Sequence, residues 1–223
     1  MNMLAPPPVR LTCEVVFDLV CPWCWIGLRR LRRALAQRPD LAVEVTFRPF
    51  LLNPEMPVRG MPQGEYVQRK FGGEDRARRM QAAILEVGRQ DGVVFRFDRI
   101  QRTPPTLEAH RLVRLAAREG RAWAVIEALF AAHFRDGRDI GDRAVLAAIA
   151  AEAGLQRAAL SAFAEEDDEA ERVMMENLRS HRLGINGVPC FVVAGRHAIA
   201  GAQEPEVIER LLELAAIEQP GLA

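Results

Sequence analysis

The chain has 223 residues, 49% of them hydrophobic, and its 30 basic and 30 acidic side chains cancel to a formal net charge of zero. That length holds one large domain or two small ones with a proper core, and the balance excludes a bulk field drawing the chain to nucleic acid or a membrane surface. No apolar run approaches a membrane span, and four cysteines do not make a disulfide scaffold in a chain of this size. Met1 to Thr12 holds a proline run and no apolar secretory segment, so a cytoplasmic location is expected. Thiols there are kept mostly reduced.

Thr12 to Asp18 reads as a largely apolar central strand. Cys21-Pro22-Trp23-Cys24 follows at a strand-to-helix junction. Cys24, Leu28, Leu31 and Leu35 recur on one helix face, which turns Cys24 inward and leaves Cys21 at the helix mouth. Arg29, Arg30, Arg32 and Arg33 are expected mostly on the solvent side, and Pro39-Asp40 ends the helix. Val43, Val45 and Phe47 alternate with polar residues in a second strand that closes at Pro49. Asn53-Pro54 and Met56-Pro57 then make a rigid loop.

From about residue 60 to 183 the pattern is helical. One helix carries Met80, Ile84 and Val87; a second starts near Thr106 and carries Ala109, Leu112 and Ala116. A third has Trp123, Ile126 and Phe130, and a fourth is capped by Asp142 and stops at Gly154. The last starts in the acidic run Glu165 to Glu169, read as a solvated helix start, and ends in Arg179, His181 and Arg182, charges that suit the helix dipole. Val93 to Phe97 is an extended piece expected to line the groove between the two parts. Cys190 to Val193 and His197 to Ala200 form a hairpin around a Gly195-Arg196 turn, and Pro205 opens a final helix.

The order βαβ, a helical stretch, then αββα predicts an α/β fold with an all-helical insertion. Residues 10–58 and 184–223 form the α/β domain and 59–183 the insertion.

A thiol pair at this spacing is a disulfide that can open and close. Helix N-terminal N–H groups favour a thiolate at Cys21, the attacking species, and Cys24 attacks the resulting mixed disulfide from the buried side. A structural zinc site wants four ligands. Cys13 and Cys190 stand alone, and the histidines at 110, 133, 181 and 197 show no ligand spacing, so no metal is expected. Cys190 reads as a small buried hydrophobe, or as a third thiol near the pair. Asp18 is either a turn cap or a proton carrier for Cys24. Trp23 is expected to be exposed as an apolar docking face, Trp25 to lie in the core, and His110 to face the groove or to pack.

Cys-Pro-Trp-Cys after a strand, with Gly187-Val188-Pro189 before a hairpin, resembles the thioredoxin fold, and the helical insertion resembles the DsbA family in its FrnE-like branch. Asp18 to Gly27, Phe47 to Pro54, Ala109 to Leu112, Gly137 to Asp142 and Gly201-Ala202-Gln203 carry the resemblance over nearly the whole chain. It implies a thioredoxin fold with an inserted helical domain, a cis bond before Pro189, and a backbone edge at Val188 that pairs with substrate. It also implies a cytoplasmic thiol–disulfide oxidoreductase, of reductase or isomerase type, acting on protein or small-molecule thiols and disulfides.

The same branch is related to kappa-class glutathione transferases and 2-hydroxychromene-2-carboxylate isomerases, which carry Ser-Pro at the positions of Cys21-Pro22 and bind glutathione. That relation implies Asn53, Val188 and Gln203 as substrate-binding residues and glutathione as a co-substrate, with no other cofactor. It supplies the alternative function, a glutathione-dependent transferase or isomerase using Cys21 alone; Cys24 argues against it. A third reading is a binding module that uses the groove without chemistry. A homodimer through the inserted helices is compatible with the pattern.

Overall fold

The computed structural model describes residues 9–165 and 168–218. The proline run at 6–8, the centre of the acidic run at 166–167 and the last five residues of the 184–223 segment lie outside the described residues.

The chain opens with β1 (Val9–Phe17), α1 (Pro22–Gln37) and β2 (Leu41–Pro49). There follow β3 (Met61–Pro62), α2 (Gln63–Phe71), α3 (Glu74–Gln90), a 3-10 turn at Phe97–Arg99 and β4 (Arg102–Thr103). Next come α4 (Leu107–Arg118), α5 (Ala122–Phe130), a π turn at Ala131–Arg135, α6 (Arg143–Glu152), α7 (Arg157–Glu165) and α8 (Asp168–Arg182). The described chain closes with β5 (Cys190–Val193), β6 (His197–Ala200) and α9 (Pro205–Ile217).

The central sheet has the order β2-β1-β5-β6. β1 runs parallel to β2, with Val9 opposite Leu41 and Phe17 opposite Pro49. It runs antiparallel to β5, with Val16 opposite Cys190 and Cys13 opposite Val193. β1 is therefore interior, and its Val15-Val16-Phe17 run is buried on both faces, as a strand covered on both sides requires. The β5–β6 hairpin turns through Ala194 (φ 50°) and Gly195 (φ 68°), one residue earlier than the sequence suggested. Two positive φ angles in succession give a turn whose twist matches the strands.

One continuous apolar cluster runs from Leu11, Val15 and Phe17 through Trp25 and Leu31 into Leu112, Phe130 and Leu146 of the helical stretch. A smaller one, Val16, Phe50 and Cys190, covers the other sheet face. Side chains alternate across a strand, so Cys13 and Cys190 lie on opposite faces. Cys190 fills the smaller cluster as a buried hydrophobe.

Several local expectations are corrected. α2, on which Val67 is the one fully buried residue, was not singled out in the sequence. Met80 is 39% exposed, while Ala77, Ile84 and Gly88 form the buried face of α3. Of the Val93 to Phe97 piece, Phe97 lines the cavity described below, whereas Val93 and Phe95 are buried in the core, Phe95 packing edge-on to Trp25. Glu169, at the end of the acidic run, is buried and paired with Arg114 and Arg118 rather than solvated. Asp142 does cap α6, its carboxylate accepting from the Ala144 and Val145 N–H groups.

Candidate active site

The site begins where β1 ends. After Phe17 the chain makes a tight turn in which the Cys21 N–H donates to the Asp18 carbonyl at 3.1 Å. Cys21 then stands at the N-cap of α1 in an extended conformation, with Pro22 in the first turn, where its missing N–H costs nothing. One turn on, the Cys24 N–H donates to the Cys21 carbonyl at 3.0 Å. The two thiols differ in access: Cys21 is 6% exposed and Cys24 is fully enclosed. Burial, followed by contact with the Cys21 sulfur, pushes the Cys24 thiol well above its ordinary range and holds it protonated.

On one side of Cys21 lies a ledge of backbone. The Val188–Pro189 bond is cis, and Cys21 Sγ donates to the Val188 carbonyl at 3.5 Å. The Gly201 N–H donates to the Pro189 carbonyl at 2.7 Å, tying the 201–203 turn to the ledge. Gln203 does not reach toward the thiols; its side-chain amide donates to the Ala200 carbonyl at 2.7 Å. Arg30 fixes this turn from α1. Against expectation it is buried, donating to the Ala202 carbonyl at 2.7 Å and to the buried Asp91 carboxylate at 2.7 Å.

On the other side Cys21 opens into a cavity of about 210 Å³ between α1, α2, α3 and the π turn. Trp23 is half-buried and forms a wall of it, not the exposed face expected. Tyr66, Lys70, Ile84 and His133 are among the other residues that line it. His133 sits in the π turn; such an insertion of one residue re-aims a helix side chain and recurs at functional sites. Burial lowers the His133 imidazole to about 4, although the Asp18 charge and a backbone hydrogen bond at Arg138 act the other way.

Asn53 lies beside this cavity on the loop after β2. That loop hangs on two buried side chains: the Leu52 N–H donates to Asp18 Oδ2 at 2.8 Å and the Leu51 N–H to Asn177 Oδ1 at 2.8 Å. Asn53 meets the Tyr66 hydroxyl at 3.4 Å and Lys70 Nζ at 3.4 Å. Asp18 is thus both a loop anchor and a buried charge near Cys24. Its other oxygen lies 3.4 Å from His110 Nε2, and His110 packs against Phe17 instead of facing the groove. Trp25 is core, its indole N–H donating to Glu127 at 3.0 Å.

The structure therefore groups the sequence-predicted residues on two flanks of Cys21: Val188 and Pro189 on the ledge, Trp23 and Asn53 toward the cavity. Gln203 belongs to the ledge only through its backbone turn. Tyr66, Lys70 and His133 had not been singled out; the available signal was that the chain has a single tyrosine and a single lysine, four residues apart. Among the described residues no cluster of three His, Cys, Asp or Glu side chains forms a metal site, and no helix is long and apolar enough to cross a membrane.

A thioredoxin-type sheet carrying a dithiol at the start of α1 and a proline ledge opposite it defines the class of dithiol proteins. Within that class, the chain matches the DSBA-like thioredoxin domain over residues 12–213 and belongs to that family. It is a DsbA-like oxidoreductase. It is 30% identical to the "probable DsbA oxidoreductase" of Streptomyces coelicolor, covering 96% of this chain and 93% of that one with a TM-score of 0.86. Bacillus subtilis YwbO is 25% identical over 205 residues, 89% of this chain and 94% of that protein. The cytosolic disulfide reductase DsbM of Pseudomonas aeruginosa, solved with GSH, shares the fold at 22% identity and a TM-score of 0.67, over 91% of this chain and 98% of that one.

Proposed function

We propose that this chain is a cytoplasmic thiol–disulfide reductase in which Cys21 attacks and Cys24 resolves. The observation that carries this reading is the difference in access between the two thiols, Cys21 at a helix N-cap beside a cavity and Cys24 enclosed and protonated one turn later.

The Cys21 thiolate attacks one sulfur of a substrate disulfide, forming a mixed disulfide and releasing the other half as a thiolate. Cys24 then loses its proton and attacks Cys21 Sγ, closing the Cys21–Cys24 disulfide and releasing the second half. Two electrons pass from the pair to the substrate, and the Cys24 proton, with the one Cys21 released on ionising, completes the two product thiols. Asp18, buried beside Cys24, is the nearby group that takes the Cys24 proton onward. The Val188 ledge offers a backbone carbonyl to an extended substrate segment, as in strand addition. A low-molecular-weight thiol such as glutathione returns the pair to the dithiol.

The test is the redox equilibrium of the pair in glutathione buffers, followed by thiol trapping and tryptophan fluorescence. A reversible two-electron transition between roughly −270 and −120 mV, the span of oxidoreductases of this type, is the expected result. A stable glutathione adduct on Cys21 with no internal disulfide would overturn it in favour of transferase-type chemistry using Cys21 alone.

A further inference from the structure

The cavity beside Cys21 has a size, a lining and a charge at its mouth, and together they describe an occupant. Its volume is about 210 Å³. A dry apolar cavity of roughly 150 Å³ accepts benzene, so the space takes one substituted ring and little more. Trp23, Ile84, Phe97 and Phe134 supply an apolar wall, and Met80, partly exposed, stands at the rim.

The mouth is marked by α2. Tyr66 and Lys70 line both the inner cavity and a shallower depression of about 230 Å³ beside it, which Asn53 also lines. Lys70 is the single lysine among the chain's 30 basic residues. Its ammonium meets only neutral oxygens, the Leu52 carbonyl and Asn53 Oδ1, each at 3.4 Å. No carboxylate among the described residues lies within 4 Å of it. Its neighbour Arg69 is already paired with Glu65 at 2.6 Å, and Glu55, in the same depression, pairs with neither. An ammonium is a compact point charge on a flexible stem, suited to an anion that arrives with a ligand.

We propose that this cavity selects small disulfides in which the half retained on Cys21 carries one apolar ring and a carboxylate, the ring against Trp23 and Ile84 and the carboxylate at Lys70. This rests on the reductase reading and names its substrate class. In the step, Cys21 attacks the ring-bearing sulfur and the other half leaves as a thiolate. Cys24 then closes the internal disulfide and releases the ring-bearing thiolate. The external low-molecular-weight thiol re-reduces the pair.

Four disulfides separate ring from charge: 6,6′-dithiodinicotinic acid (ring and acid), 2,2′-dithiodipyridine (ring only), 3,3′-dithiodipropionic acid (acid only) and bis(2-hydroxyethyl) disulfide (neither). Each kcat/KM is divided by the rate of the same compound with dithiothreitol, which removes intrinsic reactivity. The ring compounds are expected to lead their ring-free counterparts about tenfold, the scale of burying one ring face. The acids are expected to lead their neutral counterparts by up to about fivefold, the scale of one exposed ion pair. In Lys70→Met the acid-to-neutral ratio falls to near one, and in Met80→Trp, which narrows the rim, the ring-to-chain ratio falls. Both positions are partly or fully exposed, so neither variant depends on repacking the core. Turnover of bis(2-hydroxyethyl) disulfide with no ring or acid preference overturns the proposal and leaves the reductase reading intact. Ratios unmoved by Lys70→Met overturn the role of Lys70. Turnover of none of the four overturns the reductase reading itself.

Discussion

A β-carbon on Gly27 would stand 2.8 Å from Cγ of Pro189 and 3.3 Å from the ring of Phe191. The helix that carries the thiols therefore lies directly against the Pro189 ring of the ledge that faces them, with no room for a side chain on Gly27. Replacing a helical glycine by alanine ordinarily adds about 0.5–1 kcal/mol of stability. Here Gly27→Ala is expected to lose about 1–3 kcal/mol through overpacking and to slow disulfide reduction by moving Val188 away from Cys21. Urea unfolding and a turnover assay on the same preparation check both. A variant more stable than the parent would show that the ledge yields freely.

Arg30 and Asp91 are expected to behave as a buried pair. Their side chains are 7% and 3% exposed, and Arg33 also reaches Asp91 from the rim. Arg30→Ala leaves the carboxylate with one exposed partner and is expected to cost about 3 kcal/mol, whereas the double change Arg30→Met with Asp91→Leu is expected to recover much of it. A double-mutant cycle in urea gives the coupling. Additive losses would mean that the two side chains act independently.

His133 sets an acid limb of stability. In the folded chain its imidazole is neutral down to about 4, while the unfolded chain titrates near 6.5. Above 6.5 neither state is protonated there and the contribution is whole. As pH falls from 6.5 to 4 the unfolded state takes the proton first, and up to ~3 kcal/mol is lost. His133→Leu removes this limb, so the stability difference between variant and parent should shift in the variant's favour by about 2 kcal/mol between pH 7 and pH 4.5. A pH-independent difference would place a titrating imidazole in contact with water.

The reduced protein is expected to alkylate at one cysteine. Burial raises the Cys13 thiol to about 12 and also raises Cys190 and Cys24, and none of the three faces the cavity. Brief iodoacetamide treatment at pH 8, followed by mass mapping, should label Cys21 and spare the other three. Labelling of Cys190 at a similar rate would revive its reading as a third working thiol.

What the sequence disclosed was what depends on local pattern. Cys21 and Cys24 declare themselves because an apolar strand ends, and an apolar helix stripe begins, within a few residues of them. The hairpin after Pro189 and the Asp142 cap are equally local. Arg30 was misread because its partner Asp91 is 61 positions away and invisible to helix periodicity. α2 was missed because it is short and Val67 is its one fully buried residue, so Tyr66 and Phe71 make only a brief stripe, yet it brings Tyr66 and Lys70 to the site. His133 was missed because a π turn breaks the 3.6-residue spacing by which its face would be counted. The core of the fold was legible from short-range patterns; the walls of the site depend on contacts between distant segments.

β1 is flanked on one side by β2, which follows it within about 30 positions, and on the other by β5, whose Cys190 lies opposite Val16. During synthesis, then, both thiols leave the ribosome well before β5, on a half-built sheet. Until residues beyond Gly187 have emerged there is no Val188 carbonyl beside Cys21, no β5 to cover Val16, and no 201–203 turn for Arg30 to hold. Pairings so distant in sequence are slow to form. A nascent chain therefore carries a dithiol long before it carries an enzyme, and partner thiols meet it first as an unshielded peptide.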